Sequence, residues 1–169
     1  MAPELMEVSS PLHIETVASI ARSVWNEYYS SILSQGQIDY MLGKFQSQEA
    51  IKRQMEEDGY RYYLIVNSLG GGEAVGYIGI KEIEGKLFLS KFYILQQFRG
   101  KGFASVAFDF MEKFARENCL SAIWLTVNKE NDHSISVYRH RGFETVRVQV
   151  ADIGNGYVMD DYIMEKIIL

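Results

Sequence analysis

A helix predicted at residues 102–118 constrains the fold of this chain more than any other feature of the sequence. Its apolar residues recur at the i, i+3, i+4 and i+7 spacing of a helix that buries one face. They are Phe103, Val106, Ala107, Phe110, Met111, Phe114 and Ala115. The apolar stretch 87–95 has the length of a strand, and the glycine-bearing segment 99–104 joins it to the helix. A strand, a glycine loop and a long helix in succession predict an α/β fold.

The chain before this unit is predicted to be helical at first. Ser10 and Pro11 have the residue types of an N-cap and a first helical position, and the helix they begin is expected to run to about Trp25. The aromatic-rich stretch that follows predicts a second helical region, broken near Gly36. A third helix is predicted at residues 47–58, where a glycine follows as the C-terminal residue.

The remaining elements are predicted to be strands, apart from one short helix at residues 132–141. The strands have apolar or alternating composition and are bounded by glycine-bearing turns. We predict them at residues 4–8, 60–66, 74–83, 87–95, 122–127 and 143–150, with a last strand that ends near Ile168. The run 122–127 is apolar throughout, which predicts a strand covered on both faces.

Composition bounds the class of protein. The 169 residues are 47% hydrophobic and 23% charged, which predicts a single domain, residues 1–169, around one core. The formal net charge of -5 argues against a nucleic-acid partner. No segment approaches the roughly 18 apolar residues of a membrane span, and the N-terminus lacks the apolar run of a secretory signal. We therefore expect a cytoplasmic protein with no membrane partner.

The single cysteine, Cys119, limits what the chain binds. One thiol excludes an internal disulfide and a cysteine-based metal cage, so no metal site is expected. Because Cys119 stands where the long helix ends, we interpret it as a small buried apolar residue.

The segment Arg99-Gly100-Lys101-Gly102-Phe103-Ala104 is the sharpest local feature. Glycines at the start of a helix let a phosphate approach unpaired backbone N–H groups, so the loop predicts a diphosphate site. A P-loop needs Gly-Lys-Ser/Thr, whereas Lys101 is followed by Gly102 and Phe103. A Rossmann fingerprint needs three spaced glycines, which Phe103 and Ala104 break. An ordinary strand-to-helix turn is the alternative interpretation.

The loop resembles the acyl-CoA loop of the GNAT superfamily of N-acetyltransferases, written R/Q-x-x-G-x-G/A. Arg99, Gly102 and Ala104 satisfy that pattern in register. A second motif follows at residues 127–143, which resemble the family's strand, asparagine, helix, tyrosine and terminal Gly-Phe. The resemblance covers residues 87–143 well, the final hairpin acceptably, and the first eighty residues only in the order of elements.

This resemblance implies a single GNAT-like α/β (α+β) domain. A central mixed, mostly antiparallel sheet of about seven strands is then flanked by helices, with the acetyl-CoA loop at a strand-to-helix junction. The implied activity is that of an acetyl-CoA-dependent N-acetyltransferase, in which acetyl-CoA is a co-substrate and a primary amine accepts the acetyl group. Residues 97–102 also satisfy the loop pattern; the later register is preferred because it places Ala104 in the first turn of the helix.

The resemblance also implies a set of cofactor-binding residues. The backbone at the end of the strand is expected to pair with the pantetheine arm, and the loop amides to hold the diphosphate, with added charge from Arg99 and Lys101. The Ile94 region is expected to supply an N–H for the oxyanion. The full set is Phe92, Tyr93, Ile94, Arg99, Gly100, Lys101, Gly102, Phe103, Ala104, Ser105, Asn131 and Ser134.

Tyr138 is the general acid that the resemblance implies. Asn131, Ser134 and Tyr138 are spaced i, i+3 and i+7, so one face of a helix would present all three to the cofactor. A phenol with an ordinary pKa near 10 is protonated at neutral pH and can donate a proton to the CoA thiolate. The alternatives are a plain N-cap for Asn131 and an aromatic packing residue for Tyr138.

The general base is left open by the sequence. Some members of the family carry a glutamate at the position of Thr126, and threonine cannot accept a proton in its place. The remaining candidates are a water relay, Ser90, Lys91, Glu82 and Glu84.

Trp25, Tyr28 and Tyr29 are the candidate acceptor-binding residues, because aromatic faces suit an alkylammonium. The early Trp-x-x-x-Tyr pattern also resembles the polyamine-acetylating branch of the superfamily, which predicts a polyamine or another small amine as acceptor. Plain packing of these rings on the sheet is the alternative. A protein N-terminal or lysine acetyltransferase, a non-catalytic acyl-CoA sensor and a nucleotide-binding module stay open as other classes. We expect a monomer or a homodimer.

Overall fold

The computed structural model of the protein describes residues 3–169. Its strands are β1 (Glu4–Glu7), β2 (Arg61–Asn67), β3 (Glu73–Ile83), β4 (Lys86–Ile94), β5 (Ala122–Asn128), β6 (Glu144–Gly154) and β7 (Tyr157–Ile167). Its α-helices are α1 (Pro11–Tyr28), α2 (Gln35–Met41), α3 (Gln48–Glu57), α4 (Phe103–Glu117) and α5 (Asp132–His140). The strands form one seven-stranded sheet in the order β1-β2-β3-β4-β5-β7-β6. The predicted α/β class, with a mixed and mostly antiparallel sheet, is confirmed.

The chain divides into two compact units, which are described one at a time. The first unit comprises the residues up to Lys81 together with Lys91–Met111. The second comprises Glu82–Ser90 and Glu112–Leu169. Strand β4 and helix α4 therefore contribute residues to both units.

Helix α1 begins in the first unit as its sequence predicts. The Ser10 side chain accepts a hydrogen bond from the His13 N–H at 3.2 Å, and a proline occupies the first turn. The helix ends at Tyr28, beyond the expected end near Trp25. Its apolar stripe, which includes the fully buried Val17, joins the core cluster formed with β2.

The predicted break near Gly36 is wrong, because Gly36 lies inside α2. The chain instead leaves α1 through a 3-10 turn, and α2 starts after Ser34, whose side chain accepts from the Gln37 N–H at 3.1 Å. A strong N-cap sets the boundary, and a glycine in the first turn is tolerated. Leu42–Gln46 then form a π-helical turn, and Ser47 caps α3 as expected.

Two glycines shape the strands of the first unit. Gly59 has a φ of 77° directly after α3, which confirms the predicted helix end. Gly76 on β3 has a different role, because a Cβ there would collide with the backbone oxygen of Tyr93 and lie 3.1 Å from the Ile94 Cα. The absent side chain at residue 76 thus permits a close backbone approach at the end of β4.

The second unit combines parallel and antiparallel strand pairing. Leu87–Leu89 of β4 pair in parallel with Ile123–Leu125 of β5, and β7 pairs antiparallel with both β5 and β6. Asn155 and Gly156 turn the final hairpin with φ values of 55° and 78°. The prediction that β5 is covered on both faces is wrong. Its burial alternates, because Trp124, Thr126 and Asn128 are only half-buried.

The interpretation of Cys119 as a buried residue is also wrong, because its side chain is exposed. Its φ of 56° places it in the left-handed conformation that ends a helix, and the following Leu120 N–H donates to the Ala115 carbonyl at 2.8 Å. Among residues 3–169, no helix has the length and apolar character needed to cross a bilayer. The same residues contain no group of three or more His, Cys, Asp or Glu side chains that could hold a metal ion.

Candidate active site

The glycine loop at the start of α4 has the backbone that a diphosphate site needs. Gly100 and Gly102 have φ values of 72° and 89°, which side chains rarely adopt. A Cβ built on either glycine would meet no heavy atom within 4 Å, so space lies open beside this backbone. The first turn of α4 contains no acidic residue. Open N–H groups at a helix start without a nearby carboxylate fit an anionic ligand.

Aromatic contacts hold the loop in its conformation. The Phe98 and Phe103 rings meet edge to face with centroids 6.0 Å apart, one ring before and one after the glycines. Lys101 Nζ lies 5.8 Å from the Phe98 centroid, and the Lys101 side chain is exposed. Ala104 is half-buried and Ser105 is exposed. The loop therefore presents one cation and two glycines to solvent.

Arg99 ties the loop to two other elements of the first unit. Its Nε donates a hydrogen bond to the Ile94 carbonyl at 2.9 Å. Its guanidinium lies 4.9 Å from the Tyr28 ring centroid, a cation–π distance. The sequence predicted charge for a diphosphate at this position, and the structure shows in addition that Arg99 fixes the end of β4 against α1.

The end of β4 is anchored by successive side chains that pack against different parts of the first unit. The Phe92 ring meets Phe108 of α4 edge to face at 5.2 Å. The Tyr93 ring packs 6.0 Å from Trp25 and 5.5 Å from Tyr77. Phe92, Tyr93 and Ile94 are all half-buried. Their backbone is thus held rigidly, as strand-like pairing with an extended ligand requires.

Helix α5 in the second unit begins with the cap that the sequence predicts. Asn131 is 2% exposed, and its Oδ1 accepts from the Ser134 N–H at 3.2 Å. Asn131 is therefore an N-cap, which was the alternative to a cofactor role and is compatible with it. Ser134 is half-buried.

Tyr138 lies in the last turn of α5, and its backbone is fixed by a Schellman motif. The Phe143 N–H donates to the Tyr138 carbonyl at 3.0 Å, and the Gly142 N–H donates to the Arg139 carbonyl at 3.0 Å. Gly142 has a φ of 95°, and the Tyr138 and Phe143 rings meet at 5.8 Å. The Gly-Phe pair of the sequence motif thus holds the tyrosine in place.

Glu112 fixes the same helix end from α4. Its carboxylate accepts hydrogen bonds from Arg141 at 2.8 Å and from Lys166 of β7 at 2.9 Å. Burial acts to raise the pKa of Glu112, but the hydrogen bonds from Lys166 and Arg141 outweigh burial and hold the pKa below its usual value. The sequence analysis did not identify this clamp, because its members are distant along the chain.

The three predicted acceptor-binding aromatics lie together but differ in burial. Trp25 is 6% exposed and stacks on Tyr29 at 4.6 Å, while Tyr28 and Tyr29 meet at 5.4 Å and are half-buried. The Trp25 Nε1 is buried, and no acceptor reaches it within residues 3–169. Trp25 thus belongs to the core, and the two tyrosines form the accessible part of the group.

Lys91, one of the open candidates for the general base, is buried in the core of the first unit. Its Nζ donates to the Phe45 carbonyl, to Gln54 Oε1 at 2.9 Å and to the Tyr62 hydroxyl at 2.5 Å. An ammonium has three N–H donors, and all three are used. Burial lowers the pKa of Lys91 to about 7, and the side chain is 6% exposed. Lys91 therefore stabilises the π-helical turn and α3 from an almost fully buried position.

Asp161 of β7 is a buried acid that the sequence analysis missed. It is 3% exposed, and burial, with Asp160 next to it, raises its pKa to about 6. A sequence signal did exist, because Asp161 occupies an inward position of the alternating β7, two residues before the buried Ile163. Among the other open candidates for the base, Glu82 and Glu84 are exposed and Ser90 is half-buried.

Comparison with known proteins identifies the class. The model of the Acetyltransferase (GNAT) family matches residues 20–143. A spermidine N(1)-acetyltransferase of Thermoplasma acidophilum is 23% identical over 90% of both chains. A crystal structure of the PaiA N-acetyltransferase from the same organism, in complex with coenzyme A, covers 99% of both chains at 22% identity with a TM-score of 0.79. The ribosomal-protein-S18-alanine N-acetyltransferase of Escherichia coli covers 99% of this chain and 94% of its own at 12% identity, with a TM-score of 0.72.

The structural similarities establish the fold, and the family model establishes the class. The fold and the two motifs define an acetyl-CoA-dependent N-acetyltransferase, as the sequence predicted. The chain belongs to the GNAT family of acetyltransferases.

Proposed function

We propose that residues 1–169 act as one catalytic domain that moves the acetyl group of acetyl-CoA directly to a primary amine of a small molecule, with a polyamine as the acceptor class. The observation that carries this proposal is the similarity to spermidine N(1)-acetyltransferase over 90% of both chains. The net charge of -5 also favours a cationic acceptor. The expected cytoplasmic location, the absence of a nucleic-acid partner and a monomeric or homodimeric state stay predictions.

The proposed cofactor contacts follow the predicted set. The backbone amides of Gly100, Gly102 and the first turn of α4 hold the diphosphate, with Lys101 adding charge. The backbone of Phe92–Ile94 pairs with the pantetheine arm, and an N–H near Ile94 stabilises the oxyanion. Support comes from the open space at both glycines and from the anchoring of β4 by Arg99.

The proposed chemistry needs one proton donor for the leaving group. The neutral amine attacks the thioester carbonyl, the C–S bond breaks, and the Tyr138 hydroxyl gives its proton to the CoA thiolate. The Schellman motif and the Phe143 ring hold Tyr138 for this role. Asn131, the N-cap of α5, accepts from the Ser134 N–H and so orders the first turn of the helix that carries Tyr138.

The proposed acceptor contacts are Tyr28 and Tyr29, with Trp25 packed behind them. An alkylammonium gains cation–π energy over such rings. The Arg99 guanidinium already lies over Tyr28 in this way. Tyr29 is therefore the ring we assign to the acceptor.

Acetylation of a protein N-terminus or a lysine is the second candidate. The similarity in fold to the ribosomal-protein-S18-alanine N-acetyltransferase favours it, with a TM-score of 0.72. The two candidates differ in acceptor size and not in cofactor use.

A thiol-release screen with acetyl-CoA tests the proposal. The panel contains polyamines, amino sugars, amino acids, N-terminal peptides and lysine peptides at equal concentrations. We expect the highest kcat/KM for a polyamine. A preference for peptides would move the function to the second candidate, and no release with any amine would leave a non-catalytic acyl-CoA sensor.

The cofactor loop is tested by a matched pair of glycine variants. Gly102→Val should abolish the rise in thermal midpoint that acetyl-CoA produces, because the side chain fills the space assigned to the diphosphate. Gly71→Val is the control, since Gly71 has a φ of 88° and equally open surroundings in a surface turn. Both substitutions place a valine at a positive φ and strain the backbone alike. An equal rise in thermal midpoint with acetyl-CoA in the two variants would show that the loop is not part of the cofactor site.

A further inference from the structure

Arg99 lies in the first unit at the point where the glycine loop begins. Its backbone N–H donates to the Gln96 carbonyl at 3.1 Å and closes the 3-10 turn that precedes the glycines. Gly100 and Gly102 follow, both with open surroundings. Glycines give a loop large conformational freedom, which a bound diphosphate removes. Cofactor binding therefore selects one conformation of the segment to which Arg99 belongs.

The half-buried side chain of Arg99 joins the end of β4 to the end of α1. Its Nε donates to the Ile94 carbonyl at 2.9 Å, while the guanidinium lies 4.9 Å from the Tyr28 ring centroid. The strand end is itself fixed, because the Leu95 N–H donates to the Val75 carbonyl at 2.8 Å. Both contacts of Arg99 use one planar group, so a displacement of that group disturbs both at once.

Tyr28 extends this connection to the rings assigned to the acceptor. It is the last residue of α1, and Tyr29 begins the 3-10 turn that follows. The two rings meet at 5.4 Å, and Tyr29 stacks on the buried Trp25 at 4.6 Å. Helix ends fray, so the position of a ring there depends on its side-chain neighbours. A Tyr28 ring held by Arg99 gives Tyr29 a second fixed neighbour besides Trp25.

Resting on the proposed function, we propose that Arg99 is a positioning residue that couples the cofactor loop to the acceptor rings, so that cofactor and acceptor strengthen each other's binding. The loop conformation that holds the diphosphate keeps the guanidinium on Tyr28, and Tyr28 keeps Tyr29 in place. The rings are thus ordered once the cofactor is bound, and the acceptor binds with a smaller loss of conformational entropy. By thermodynamic linkage, the acceptor strengthens cofactor binding by the same factor.

The charge of Arg99 also divides the work between the two tyrosines. The guanidinium already occupies a face of Tyr28, and a second cation at the same ring would meet a like charge. The acceptor ammonium is therefore directed to Tyr29. Tyr28 acts on the acceptor through Tyr29 and not as a second cation-binding ring.

The test is a calorimetric titration of spermidine, with and without saturating CoA. CoA contains the diphosphate but no acetyl group, so no turnover disturbs the measurement. In the wild type, CoA should lower the Kd of spermidine by about tenfold, and saturating spermidine should lower the Kd of CoA by the same factor. In Tyr28→Leu, which removes the ring but leaves the bond between Arg99 and Ile94, both factors should fall to about one.

A second variant and two controls isolate the contact. Arg99→Gln removes the cation and should lose the coupling as Tyr28→Leu does, and the double variant should lose no more than either single one. Tyr28→Phe keeps the ring and should keep the coupling. Tyr40→Leu should also keep it, because Tyr40 is a half-buried ring whose cation is Lys44, at 5.7 Å.

The outcomes separate the coupling from the proposed function. The Kd of CoA without spermidine should stay within about threefold of the wild-type value in Tyr28→Leu, which shows a folded protein with an intact cofactor site. A wild-type spermidine Kd that does not change with CoA, or an undiminished factor in Tyr28→Leu and Arg99→Gln, would overturn the coupling and leave the proposed function in place. Spermidine that binds neither with nor without CoA would contradict the proposed acceptor class and the coupling together.

Discussion

Lys91 and Asp161 are both buried charged residues, one in each compact unit, and their surroundings are opposite. Lys91 has three acceptors for its three N–H donors, whereas the charged neighbour that acts on Asp161 is a second carboxylate, Asp160. Burial shifts both pKa values towards neutrality, to about 7 for Lys91 and about 6 for Asp161. A shifted pKa alone therefore does not mark a catalytic group. The hydrogen-bond partners identify Lys91 as a structural cation.

The largest expected effect is on the Lys91 network. Gln54→Leu removes the acceptor shared by Lys91 and the Tyr62 hydroxyl, which donates to Gln54 Oε1 at 2.5 Å. We expect the free energy of unfolding to fall by about 3 kcal/mol, because a buried ammonium loses a partner. Urea unfolding measures this change, with the exposed Gln48→Leu on the same helix as control. Equal stability of the two variants would show that the network contributes nothing.

Asp161→Asn should raise the free energy of unfolding at neutral pH, whereas Gln54→Leu lowers it. The folded pKa of about 6 lies above the ordinary aspartate pKa of 3.8, so the folded state holds more protons between these values and loses stability as pH rises through them. Above pH 6 the variant should be more stable than the wild type by about 3 kcal/mol, and below pH 3.8 the difference should vanish. Thermal unfolding at pH 7.5 and pH 4 measures both limits. A loss of stability at pH 7.5 would mean that Asp161 has a structural partner.

A smaller effect is expected in how the free energy of unfolding depends on pH, a dependence to which Lys91 contributes. The unfolded lysine keeps its proton up to about pH 10.5, whereas the folded one loses it near pH 7, so stability should rise with pH in that window. One proton gives about 1.4 kcal/mol per pH unit. Urea unfolding at pH 7, 8 and 9 should show this slope in the wild type and not in Lys91→Met. Lys81→Met should keep it, since Lys81 lies over Tyr60 at the same 5.1 Å as Lys91 over Tyr62 but is only half-buried.

The sequence predicted the features that depend on neighbours along the chain. The stripe of α4, the glycine loop, the Asn131 cap and the Gly142 helix end all follow from local rules, and the structure contains each of them. The predicted helix break near Gly36 was wrong because the N-cap Ser34 sets the helix boundary more strongly than a glycine does.

The groups that the sequence did not identify depend on distant residues. The Lys91 network joins Phe45, Gln54 and Tyr62, and no short-range pattern connects them. The burial of Asp161 depends on the register of three strands, which a single strand's composition does not specify. The half-open face of β5 was missed because the run 122–127 is apolar on its buried side and carries Trp124 and Thr126 on the other.

The central claim, acetyl transfer to a small amine with Tyr138 as the acid, is tested most directly by CoA thiol release with spermidine. The wild type should release thiol only when spermidine is present. Tyr138→Phe should lower turnover at least about tenfold while acetyl-CoA still raises the thermal midpoint, and Tyr60→Phe should leave turnover unchanged. Equal turnover in wild type and Tyr138→Phe would assign the proton to another donor, and no spermidine-dependent release in the wild type would contradict the account.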